Sequence, residues 1–191
     1  AKGLVAAQIA AAEQLRAQGE HRIGLLYVVG EERGSDGARV ANRHAPPGVR
    51  YLIDGEPTDS RLGLGTRGVL RMRLSAQGVA AHSAYPELGD SAINKLLDAL
   101  TAIRRLELPS NETFGTTHFS IGLIQGGVAS NVIAPHAAAE LVFRTVGDGH
   151  AEIEAVTGVS GDLTVETLLN IPAVRLLCLL YTSPSPRDVE E

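Results

Sequence analysis

Three carboxylates in the first third of the chain have the types and spacing that could do chemistry. Glu31 and Glu32 are adjacent in Gly30-Glu31-Glu32-Arg33-Gly34-Ser35-Asp36-Gly37, and Glu56 follows in Asp54-Gly55-Glu56-Pro57-Thr58. Two carboxylates from neighbouring strand ends can hold a divalent cation, and a third can act as general base on a metal-bound water. Neighbours on an extended chain point opposite ways, so Glu31 and Glu32 divide between two roles, one facing a metal and one a substrate. By composition alone the same residues also read as a solvated acidic loop.

The elements that must position them are legible upstream and between. Residues 2–18 are rich in Ala, Gln, Glu and Leu and predict a helix, with Gly19 as its stop. Ile23 to Val29 is a continuous apolar run of strand length, as expected of a parallel strand buried on both faces. Asp36 is a candidate cap for a short helix over 37–43, and Tyr51 to Asp54 reads as a second short strand. Both acidic motifs then sit at strand carboxyl ends, where open α/β sheets bind ligands. The order α-β-α-β fits part of a doubly wound sheet over residues 1–66.

From residue 67 the pattern changes. Leu70, Met72 and Leu74 alternate with Arg71 and Arg73, the mark of a half-exposed strand. Residues 90–106 predict a helix capped by Asp90, with Ile93, Leu96, Leu97, Leu100 and Ile103 on one stripe. Phe119, Ile121 and Leu123 mark a strand ending at Gly126-Gly127, and Ala139, Leu141 and Phe143 mark the next. A short helix over 149–157 and a strand over 163–168 complete β-α-β-β-α-β, the ferredoxin-like order, placed at 67–171. Residues 172–177 would return to the first domain. Residues 178–191, beginning Cys178-Leu179-Leu180-Tyr181, look like a translated sequencing adaptor and are set aside from the fold.

Bulk properties narrow the function classes. The chain has 191 residues, 44% of them hydrophobic, and a formal charge of −5 from 17 basic and 22 acidic groups. With no block of like charge, nucleic acid and anionic membrane surfaces are poor partners. No apolar run approaches the ~20 residues of a spanning helix, so a cytoplasmic location is expected. The single cysteine leaves no internal disulfide and no cysteine-based zinc site. Gly63-Leu64-Gly65-Thr66-Arg67-Gly68 is a literal G-x-G-x-x-G, but an alternating strand follows it where a dinucleotide site needs a helix N-terminus.

Four ordered motifs carry a resemblance. They are Val29-Gly30-Glu31-Glu32-Arg33-Gly34-Ser35, Asp54-Gly55-Glu56-Pro57-Thr58, Gly78-Val79-Ala80-Ala81-His82-Ser83-Ala84-Tyr85-Pro86 and Gly126-Gly127-Val128-Ala129-Ser130-Asn131-Val132-Ile133. Together they resemble the metallopeptidase family of aminoacylase, acetylornithine deacetylase, succinyl-diaminopimelate desuccinylase and the glutamate carboxypeptidases. The resemblance implies a zinc-binding α/β catalytic domain with an inserted ferredoxin-like lid that forms a homodimer. It implies two divalent metal ions, zinc first, with cobalt or manganese accepted by the same ligand types.

At matching positions the resemblance implies that Glu31 is the general base and that Glu32 and Glu56 are metal ligands. His82 would reach a partner subunit's site and stabilise an oxyanion. Asn131 and Arg144 would contact the substrate, the arginine through a carboxylate. His118 and His136 match no functional position. The family's bridging aspartate and two histidine ligands have no match in the chain, so the expectation is a piece of the enzyme that is inactive alone. The implied reaction is hydrolysis of an N-acyl amino acid or a C-terminal peptide bond. The competing reading is a non-catalytic dimerisation or binding module that keeps the fold.

Overall fold

In a computed structural model, residues 2–44, 47–55 and 63–175 are described, and they divide between two units, Ala1–Leu62 and Gly63–Glu191. Glu56 and the adaptor-like residues 178–191 lie outside the described residues.

The first unit opens with α1 (Lys2–Ala17), which ends in backbone turns at Gln18 and Gly19, the latter at φ 92°. A left-handed residue just past the last turn suits glycine, as the composition predicted. The apolar run 23–29 and the segment 51–54 do not form strands. Both are open to solvent, Val29 being 78% and Ile53 86% exposed. A buried parallel strand exists only with neighbours on both sides, and no strand forms among the described residues of this unit. The second helix, α2 (Asp36–Arg43), starts one residue earlier than expected. Ser35 is its N-cap, at φ 60° and without a side-chain cap bond, and Asp36 is the first helical residue. A carboxylate there still favours the helix dipole.

The second unit begins with β1 (Gly65–Thr66) and then β2 (Val69–Gln77). There follow α3 (Ala92–Ile103), the short pair β3 (Ser110–Asn111) and β4 (Gly115–Thr116), and the long strands β5 (His118–Gly126) and β6 (His136–Arg144). The unit closes with α4 (His150–Val159), β7 (Thr164–Ile171) and β8 (Val174–Arg175), which pairs with β1. The main sheet has the antiparallel order β5-β6-β2-β7. With α3 and α4 as the two crossovers, this is the ferredoxin-like β-α-β-β-α-β fold that the periodicity predicted.

Its core follows from the pleat. Leu70, Met72 and Leu74 of β2 and Leu141 and Phe143 of β6 are fully buried on one face, packed with Leu96, Leu100 and Ile103 of α3 and Val156 of α4. Phe119 stacks on Phe143 with ring centroids 5.0 Å apart. The opposite face carries Arg71 and Arg73, and Arg73 bonds Glu140 across the strands at 2.6 Å. A buried polar tie holds α4 to the strand ends. Thr117 Oγ1 donates to Glu152 Oε1 at 2.8 Å and accepts from the Val146 N–H at 3.2 Å.

Three details differ from expectation. Ser91, not Asp90, caps α3, its hydroxyl accepting from the Asn94 N–H at 3.3 Å. Asp90 instead exchanges two backbone bonds with Val79 and pairs its carboxylate with Lys95. Leu97 lies off the core stripe, which runs through Ala92, Leu96, Ala99, Leu100 and Ile103, and is half exposed; at 3.6 residues per turn it is turned about 100° from Leu96. In β5 the register shifts between Ile121 and Leu123, so Leu123 faces Glu140 on the open side while Ile124 faces Ala139. One extra residue in a strand reverses every side chain beyond it.

Candidate functional site

The acidic pair sits in a single turn of 3₁₀ helix, Glu31–Arg33, wound between Gly30 at φ 79° and Gly34 at φ 111°. In such a helix neighbours are about 120° apart, so Glu31 and Glu32 diverge without an extended chain. The turn is closed by Ser35 N–H to Gly30 O at 2.7 Å and Gly37 N–H to Val29 O at 3.0 Å. Only glycine suits position 37, because a Cβ there would stand 2.5 Å from the Val29 nitrogen. Both carboxylates are exposed. They are hard oxygen donors of the kind divalent cations take. Among the described residues, however, no three His, Cys, Asp or Glu side chains come together as a metal cluster. The described donor set therefore does not make up a metal site by itself.

In the second unit the structure brings His82 and Asn131 together. The segment 81–83 runs antiparallel to 131–133, with Ile133 N–H to Ala81 O at 2.8 Å, Ser83 N–H to Asn131 O at 2.9 Å and a bridge between His82 and Val132. His82 then turns the chain, its carbonyl accepting from Tyr85 N–H at 2.9 Å and its Nδ1 accepting from Ala84 N–H at 3.1 Å. A ring nitrogen that accepts is the bare one, so the hydrogen is on Nε2. The imidazole is thus a neutral, exposed donor, steadied by the Tyr85 ring at 6.3 Å. Ala134, which separates Ile133 from Pro135, is buried, and its carbonyl takes the N–H of Ala92 at the start of α3. Beside this loop pair lies a groove of about 980 Å³ whose walls include Pro86, Asp90, Lys95, Ser130 and Ile133.

Arg144 is not part of that cluster. It ends β6, whereas the loop carrying Asn131 enters β6 at His136. A strand of nine residues spans about 26 Å at its usual rise. Arg144 is exposed and stands opposite His118 in the register. At this end the structure also reveals Arg67, which no motif singled out. Its guanidinium donates to Thr116 O at 2.8 Å, to Phe114 O, and to His118 Nδ1 at 2.8 Å. Arg67 lies inside the G-x-G-x-x-G string, between Thr66 and Gly68, and its place just before a strand was its only signal.

The family model described as Peptidase dimerisation domain matches residues 64–159. The chain belongs to the M20 metallopeptidase family. Among M20 relatives and other curated proteins of similar sequence is a protein of Aspergillus fumigatus named "Probable carboxypeptidase". It is 40% identical over 180 residues, which are 84% of this chain and 41% of that protein. A protein of the same name from Paracoccidioides brasiliensis is 42% identical over 190 residues, 90% of this chain and 43% of that protein. The chain therefore spans less than half the length of these curated relatives. Among solved structures, the aminopeptidase PepT of Bacillus cereus superposes with a TM-score of 0.60 at 20% identity, over 78% of this chain and 42% of that one. At that identity the likeness speaks for the fold alone. It agrees with the mixed α/β fold, whose sheet-rich second unit carries the dimerisation-domain match.

Proposed function

We propose that this chain is part of a metal-dependent M20 hydrolase that cleaves the amide next to a free carboxylate. An N-acyl amino acid and the last bond of a peptide both have that group, one carbon away from the scissile nitrogen. The names of the curated relatives favour the peptide bond. The observation that carries the reading is the neutral His82, held as an Nε2–H donor beside Asn131.

Each residue then has a task. His82 Nε2–H donates to the oxygen that gains negative charge as water adds to the amide carbon. Glu31 takes the proton from that water and delivers it to the leaving amine. Glu32, with Glu56, would hold a divalent cation, zinc or in its place cobalt or manganese, whose chemistry there is to orient and acidify the water. Arg144 pairs with the substrate carboxylate. The two ends of β6 are too far apart for His82 and Arg144 of one chain to meet on a small substrate. That separation supports a homodimer in which each copy lends His82 to its partner's site. In the complete protein, Glu31→Ala lowers turnover by about 10²–10⁴-fold, the usual worth of a general base, and leaves metal content unchanged. Loss of the metal instead would exchange the roles given to Glu31 and Glu32.

A further inference from the structure

The His118 corner of the sheet has a geometry that the reading above does not use. His118 and Arg144 are register partners on β5 and β6, and both are exposed. Directly opposed residues project to the same face with Cβ atoms about 5 Å apart. Val142, two residues before Arg144, pairs with Arg71, so a second guanidinium projects from the same face one row inward. Arg73 on that face is neutralised by Glu140 at 2.6 Å. Arg71 and Arg144 have no such acidic partner among the described residues.

Arg67 decides what His118 can do. A guanidinium only donates, so the His118 Nδ1 that it reaches at 2.8 Å must accept. The ring hydrogen is therefore on Nε2. Arg67 is itself pinned by the carbonyls of Phe114 and Thr116, which with His118 engage three of its five N–H donors and fix its orientation. A neutral histidine also avoids setting two cations directly opposite one another, which would destabilise the pair.

We propose that His118 and Arg144 form a two-donor carboxylate site, with Arg67 as the positioning residue that keeps the His118 hydrogen on Nε2. The proposal rests on the reading of Arg144 as the residue that meets the substrate carboxylate. The guanidinium supplies the charge and two parallel donors, and His118 Nε2–H takes a lone pair that Arg144 leaves free. A carboxylate has about four such positions, so the two residues do not compete. The site would select an acid over its amide, which is the distinction a hydrolase acting beside a free carboxylate has to make.

The test is a nuclear magnetic resonance titration of the 191-residue chain, labelled with ¹⁵N at histidine and arginine, using N-acetylglycine and its uncharged twin N-acetylglycinamide. The expected result is that only the acid shifts His118 Nε2 and Arg144 Nε. His118→Phe then weakens binding about tenfold, and Arg144→Ala abolishes it. Arg67→Gln mixes the two His118 tautomers, visible in the ring ¹⁵N shifts, and weakens binding while His82 is unchanged. If His118→Phe binds as tightly as the parent while Arg144→Ala does not bind, the role of His118 is overturned and that of Arg144 stands. If neither residue responds to the acid, both fall. A parent chain with the hydrogen on His118 Nδ1 overturns the proposal without any variant.

Discussion

At the scale of single residues, close approaches decide more than side-chain type. Gly37 lies in the first turn of α2, where alanine ordinarily stabilises a helix by about 1 kcal/mol over glycine. Here the Val29 backbone occupies the space a Cβ would need. Gly37→Ala is therefore expected to reverse the usual sign and destabilise the acidic turn by about 1–3 kcal/mol, the range for overpacking. Hydrogen exchange at the Ser35 and Gly37 amides measures it directly. Slower exchange in the variant would show that the turn is not clamped in this way. His82 teaches the same lesson: its motif marked it as a candidate, but the donor state of its ring comes from one backbone N–H two residues on.

At the scale of elements, alternation was a reliable guide wherever a strand lay inside the sheet. β2 and β6 bury every second residue without interruption. At the edge strand β5 the pattern failed halfway, because the residue-by-residue alternation of Phe119, Ile121 and Leu123 cannot reveal a shift in the partner's register. The helix α3 offers a paired test of which face is core. Phe143→Ala beneath it should cost about 3–5 kcal/mol. Leu97→Ala, on the half-exposed side of α3, should stay within about 0.5 kcal/mol. Urea denaturation of both variants separates the two outcomes, and equal losses would mean that the covering face of α3 is misassigned.

At the scale of the whole molecule, the two units contrast. The second builds a sheet with its own core, while the apolar runs of the first find no strand partners among the described residues. Among the described residues, no three His, Cys, Asp or Glu side chains gather as a metal site. Two carboxylates hold a divalent cation weakly compared with a full set of four to six donors. Calorimetric titration of the 191-residue chain with zinc should accordingly show no pair of tight sites. Two sites of submicromolar affinity would overturn the reading of this chain as inactive by itself. No helix among the described residues is long and apolar enough to cross a membrane.

Local patterning was legible in the amino-acid sequence alone. Helix formers, period-two alternation and turn glycines marked out the ferredoxin-like unit, and four short motifs pointed to the family and to Glu31, Glu32, His82 and Asn131. These signals are readable because each depends on residues close together along the chain. Tertiary structure alone decided what depends on distant partners. It denied strands to residues 23–29 and 51–54, since a ladder needs a second chain segment to receive its hydrogen bonds. It set Arg144 at the far end of β6 from His82, joined Arg67 to His118 across 51 positions, and so turned an unassigned histidine into a candidate donor.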